Sequence, residues 1–167
     1  MFGKINDKGS FKMLEIKNFV TPDQILFDLK PGSYQELMTQ MIEPLVRSKV
    51  VTDQEQFLGD VLYRETQLST VVQNPCVAFP HAYSQSVTRL GLSIAIPKHD
   101  EIFIDGYDEP VQALFLIAIP RYIPTLHLTM LKILNSFVKD EVKFPKFIKQ
   151  RTDGLTARML SAYKLKK

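Results

Sequence analysis

Cys76-Val-Ala-Phe-Pro-His-Ala82 is the stretch on which the fold turns. Four apolar residues lie between Pro75 and Pro80. That length, with those flanks, reads as a short strand buried on both faces rather than as helix. His81 follows Pro80 directly, which places an imidazole at the C-terminal end of the strand. Proline narrows the backbone there, and ligands of layered α/β proteins bind outside such strand ends.

A doubly buried strand needs neighbours, and the sequence on either side supplies them. Downstream, Leu90–Ile96 (LGLSIAI) and Val111–Ile119 (VQALFLIAI) are continuous apolar runs of strand length. A turn-rich loop with Asp105-Gly106 joins them. Leu126–Val138 is periodic at helical spacing, with Leu128, Leu131, Leu134 and Val138 expected inward. A break at Pro145 and a last helix over Leu155–Tyr163 follow.

Upstream, Val20–Asp28 opens the domain, with Ile25, Phe27 and Leu29 alternating as in a short strand. Ser33-Tyr-Gln-Glu36 is a capping box before a helix carrying Leu37, Met41, Leu45 and Val46 on one face. Pro44 is expected to kink that helix or end it early. Thr52-Asp-Gln-Glu55 is a second capping box, before a helix with Phe57, Leu58, Val61 and Leu62 that ends near Arg64-Glu65. Helices before, between and after strands predict a single layered α/β domain: a mixed, mostly buried sheet with helices on both faces. The expected division is an N-terminal extension over residues 1–18, polar and loosely held, and one domain over residues 19–167.

Composition excludes several function classes. The chain has 167 residues, 45% hydrophobic and 23% charged, enough for a substantial core without metals or disulfides. A formal net charge of +3, with no Arg/Lys stripe interleaved with aromatics, gives no basis for binding nucleic acid. No apolar window is long enough to span a membrane, and the polar first twelve residues lack the core of a secretory signal. Cys76 is the single cysteine, which rules out an internal disulfide and suits the cytoplasm. A small buried hydrophobe is its simplest reading.

Three histidines are the candidates for chemistry: His81, His99 and His127. A metal hydrolase using all three is disfavoured, since there is no HExxH or His-x-His spacing. His99 lies in Lys98-His-Asp-Glu101, which reads as a solvated charge cluster.

The segment Val77-Ala-Phe-Pro-His81-Ala82 resembles the phosphorylation-site motif of phosphotransferase system enzyme IIA domains of type 2, the fructose/mannitol/nitrogen-regulatory class. Further segments match in order: Thr21-Pro22 with Asp28-Leu29, Val51-Thr52-Asp53 with Phe57-Leu58, and Arg64-Glu65 with Ser69-Thr70. After the motif come Asp108-Glu-Pro-Val111, Leu114–Pro120, and His127-Leu128 with Leu131. The resemblance covers roughly residues 19–165.

It implies a phosphohistidine-carrying phosphotransferase component in the cytoplasm. His81 would accept phosphate from HPr or its nitrogen-branch equivalent. It would then pass it to an enzyme IIB cysteine, for sugar transport, or hold it as a regulatory state toward a target protein. Arg64 would offer a planar guanidinium to two phosphoryl oxygens. His127 would aim a ring nitrogen at the same group from the start of its helix. Neither a metal nor an organic cofactor is implied, and exposed apolar residues such as Phe79 or Tyr83 would edge the docking surface.

The chain departs from the family pattern at Val71–Cys76, where a glycine-rich turn is expected and none of the residues is glycine. Asn74 is the residue best suited to a left-handed conformation there. Ser84 or Ser86 is a candidate extra hydroxyl for the phosphate. Taken singly, Arg64 also reads as a helix-end cation paired with Glu65 or Glu55, and His127 as a cap or a neighbour of Tyr122. The competing function is a non-catalytic interaction protein that keeps the fold.

Overall fold

The structure, a computed structural model, describes residues 16–98, 101–123, 125–150 and 152–163. At its centre is β6 (Ala113–Pro120), the longest strand, buried along its whole length. On one side it pairs antiparallel with β5 (Gly91–Ala95), and β5 pairs parallel with β1 (Ile25–Leu26). On its other side two short strands follow one another in a single lane. β3 (Val77–Ala78) pairs parallel with Ala113–Leu114, and β4 (His81–Ser84) pairs parallel with Ile117–Pro120. β2 (Val71–Val72) closes the sheet against β3 as an antiparallel hairpin. The sheet is mixed, as expected.

Period-two alternation sends the side chains of β6 into two cores. Phe115, Ile117 and Ile119 join the core beneath α3 (Leu126–Val138), α4 (Lys143–Ile148) and α5 (Asp153–Ser161). Leu114, Leu116 and Ala118 join the core beneath α1 (Tyr34–Arg47) and α2 (Gln54–Gln67). With helices on both faces, the strands read as unbroken apolar runs because neither face meets water. Phe115 stacks against Phe79 and Phe147 at 5.5 and 6.1 Å, and Phe137 meets Phe147 edge-on at 4.9 Å.

The Ser33–Glu36 capping box forms as expected, with Glu36 Oε2 accepting from the Ser33 amide at 2.7 Å. Pro44 does not shorten α1. The helix runs on to Arg47 because Met41, Ile42 and Leu45 are fully buried, and that packing outweighs the one hydrogen bond proline removes. The cap of α2 is Asp53 rather than Thr52. Asp53 accepts from the Gln56 amide at 3.0 Å, while the Thr52 hydroxyl donates to the Ser86 carbonyl at 2.9 Å. Between Val20 and Asp28 only Ile25–Leu26 is strand, since Pro22 opens a 3-10 turn capped by Thr21 and Gln24. Pro145 does not break the chain; it sits in the first turn of α4, where a missing N–H costs nothing.

In α3 the buried stripe is displaced from the predicted one. Met130, Leu134, Phe137 and Val138 face the core, while Leu128 is 58% exposed. Of the expected extension, residues 1–15 lie outside those described. Ile16–Asn18 form a 3-10 turn, and Ile16 is buried.

Candidate functional site

His81 is the first residue of β4 rather than the tail of the strand before it. The lane beside β6 is interrupted only at Phe79-Pro80, and hydrogen bonds hold even this gap. The Phe79 amide donates to the Thr70 carbonyl at 3.1 Å, and the Ile117 amide donates to the Pro80 carbonyl at 2.9 Å. His81 is therefore fixed by strand pairing at its own position, opposite Ile117.

The ring is buried, and its Nδ1 lies 2.9 Å from the Phe79 carbonyl oxygen. A carbonyl only accepts, so Nδ1 carries the hydrogen, and Nε2 of the neutral ring keeps its lone pair. Burial lowers the proton affinity of His81 below that of a free imidazole. The Phe79 hydrogen bond opposes this, Arg64 adds to it, and Glu65 opposes it.

His127 comes from the first turn of α3 and is also buried. Its ring lies 5.9 Å from that of His81, inclined at 30°. Tyr83 shares the strand face of His81, two residues on. Its ring meets His127 edge-on at 5.0 Å, and its hydroxyl is 2.8 Å from Nδ1 and 3.1 Å from Nε2. His127 thus has Tyr83 as a neighbour, and the Tyr122 hydroxyl donates to the Thr88 carbonyl. Thr125, at the start of α3, makes no side-chain cap, and no acidic residue occupies the first turn. That helix end is suited to an anion.

Arg64 sits in the last turn of α2, and its Nη1 donates to the Leu68 carbonyl at 3.1 Å. The expected pairing with Glu65 does not form, because Glu65 is taken by Thr70, accepting from its amide and hydroxyl at 2.8 Å each. The guanidinium influences the charge of His81 without bonding to its ring. Glu65 and Thr70 together shape the 68–70 turn, which the Tyr107 hydroxyl also reaches through Ser69 at 2.7 Å. Beyond it, the β2–β3 hairpin turns through Asn74 at φ 60°, as the missing glycines predict. In the sequence, Tyr34 is marked only as part of a capping box. It is largely buried beside Glu65, and burial with that carboxylate holds its hydroxyl protonated. The available signal was its helical register with Leu37 and Met41.

Other expectations are corrected. Ser84 and Ser86 do not face His81. Ser84 lies on the opposite face of β4, and the two buried hydroxyls bond to each other at 2.8 Å. Phe79 is 5% exposed and stacked in the core, so it does not edge the site; Tyr83, 36% exposed, does. Cys76 is buried, and burial pushes its thiol up toward the protonated, unreactive form. Residues 99 and 100 of the proposed charge cluster lie outside those described. Among the described residues, no three His, Cys, Asp or Glu side chains gather as for a metal, and no helix is long and apolar enough to cross a membrane.

The family described as phosphoenolpyruvate-dependent sugar phosphotransferase system, EIIA 2, matches residues 18–161. The chain belongs to this family. No curated protein matches it. Among solved structures, the nitrogen regulatory protein IIA-Ntr of Neisseria meningitidis is 20% identical with a TM-score of 0.74, over 87% of this chain and 98% of that one. Mannitol enzyme IIA of Escherichia coli, solved in complex with phosphorylated mannitol enzyme IIB, is 18% identical with a TM-score of 0.70, over 86% and 98%. At these identities the likeness establishes the enzyme IIA fold and nothing finer. Within that fold, the rings of His81 and His127 lie side by side at the start of β4, and Arg64, in the last turn of α2, acts on His81 through its charge.

Proposed function

We propose that this enzyme IIA domain is a phosphoryl carrier that takes phosphate onto His81 Nε2 from an HPr-like phosphocarrier protein. The observation that carries this reading is the Nδ1 hydrogen bond to the Phe79 carbonyl. It orients the ring and leaves the lone pair on Nε2, the atom that must attack. Burial keeps the ring neutral and hence nucleophilic at neutral pH.

In the transfer, a bond forms from Nε2 to phosphorus as the phosphorus–nitrogen bond of the donor breaks in line. Chemistry of this kind needs position and charge stabilisation above all. His127, 5.9 Å away centre to centre, supplies a ring N–H to a phosphoryl oxygen. Arg64 spends one of its donors on Leu68 and retains others for the remaining oxygens. No metal or organic cofactor has a part.

Delivery from His81 to an enzyme IIB cysteine, or use of phospho-His81 as a regulatory state, completes the role, in the cytoplasm. The solved complex of mannitol enzyme IIA with enzyme IIB is a precedent for the first. Exposed Tyr83 and Leu128, beside His127, provide apolar anchors for such partners.

The test is incubation of the native chain with enzyme I, HPr and phosphoenolpyruvate, followed by intact mass measurement. An acid-labile gain of one phosphate, lost in His81→Ala, is expected. No gain with several HPr homologues would instead leave a non-catalytic interaction protein. Label retained in His81→Ala would move the site elsewhere.

A further inference from the structure

The Tyr83 hydroxyl touches both ring nitrogens of His127, at 2.8 and 3.1 Å, and its ring packs edge-on against the imidazole. A neutral imidazole has one donor and one acceptor nitrogen, and a phenol hydroxyl has both functions. The hydroxyl can engage one ring nitrogen at a time, donating to a bare nitrogen or accepting from an N–H. The contact can therefore be kept in either tautomer, and what it constrains is the tilt and position of the ring. Tyr83 is well placed for this task. It is carried on β4, with Tyr83 itself opposite Ile119 on the buried β6, so its backbone is as fixed as that of His81. It is also the residue two positions after His81, on the same strand face.

We propose that Tyr83 is a positioning residue for phosphoryl transfer, clamping His127 beside His81 so that one ring nitrogen turns to the incoming phosphoryl oxygen while the other stays on the Tyr83 hydroxyl. The inference rests on the carrier reading of His81. It makes the 83–127 pair one unit in the transfer step: His127 meets the phosphoryl group, and the Tyr83 hydroxyl, as distinct from its exposed ring, acts through His127. Without the hydroxyl, His127 samples more orientations, and one hydrogen bond of ordinary net strength corresponds to about a 3- to 10-fold loss of rate.

The decisive experiment is a double-mutant cycle with Tyr83→Phe and His127→Ala, following single-turnover transfer from phosphorylated HPr. Tyr83→Phe keeps the ring packing and is expected to slow transfer at saturating donor about 3- to 10-fold, with half-saturation unchanged. In the His127→Ala background it should have no further effect. An equal loss in both backgrounds, or a change in half-saturation alone, overturns the proposal and makes Tyr83 a direct or docking contact. Nitrogen-15 shifts of the His127 ring, compared between the native protein and Tyr83→Phe, test the clamp even if the chain takes no phosphate. Unchanged ring shifts refute the clamp, whereas changed shifts with no phosphate uptake refute only the carrier reading.

Discussion

The strand start that carries His81 and the helix start that carries His127 meet at 5.9 Å, yet the chain holds them by different means. His81 is fixed locally. Its ring bonds the carbonyl two residues back, and its backbone pairs in register with Ile117. His127 is held from afar by Tyr83, 44 residues earlier in sequence. Arg64 resembles neither, since it bonds within its own helix end and reaches His81 only through space. On the proposed carrier reading, the His81 ring, which would present one defined nitrogen, gains from a local bond that is always made. On the same reading, the His127 ring, which would change partner as the phosphoryl group arrives, is better held by a contact it can share.

The sharpest break in that comparison is His81→Ala, which should abolish phosphate uptake in the mass assay while leaving the fold intact, because the strand pairing of residue 81 is backbone only. Next is the shared support. Phe115→Ala should cost about 3–5 kcal/mol in denaturant unfolding, since Phe115 is fully buried and stacks on both Phe79 and Phe147. Arg64→Ala should slow transfer by about 10²-fold with the His81 label still attained, and Arg64→Lys should recover only part of this, because an ammonium lacks the planar fork.

Smaller effects probe the turn and the ring. Asn74→Ala should lower stability by about 1–2 kcal/mol while Asn74→Gly is tolerated, since φ there is 60°. The imidazole of His81 should titrate by NMR below the usual value of about 6.5, because burial disfavours its charge. Between that midpoint and about 6.5 the unfolded chain binds more protons than the folded one. Stability from this group is then lost as pH falls through that window and levels off below it. A midpoint above 6.5 would contradict the neutral, nucleophilic ring.

Much of this was legible in the chain. The apolar runs at 90–96 and 111–119 became β5 and β6, and Ser33–Glu36 became the α1 cap, because each depends on neighbours in sequence. Reading failed where a distant partner overrode a local rule. Pro44 lies inside a helix held by the α1–α2 core, and Thr52 lost its capping role to Asp53 because the Ser86 carbonyl claimed its hydroxyl. Leu128 faces outward because α3 is rotated to present Met130 and Phe137 to the sheet. At the site, the motifs name His81 and His127 as candidates, but nothing at position 83 names a residue at 127, so the Tyr83 contact was not legible.

What the sequence determined by itself is the layered α/β domain and the left-handed Asn74, both set by local periodicity and backbone sterics; that His81 opens a strand instead of ending one took the pairing with Ile117. Only the tertiary structure decided which nitrogen of His81 bonds the Phe79 carbonyl, that Tyr83 touches His127, and that Glu65 serves Thr70 instead of Arg64. Each of these is a choice among polar partners, made by what packing brings within hydrogen-bond reach.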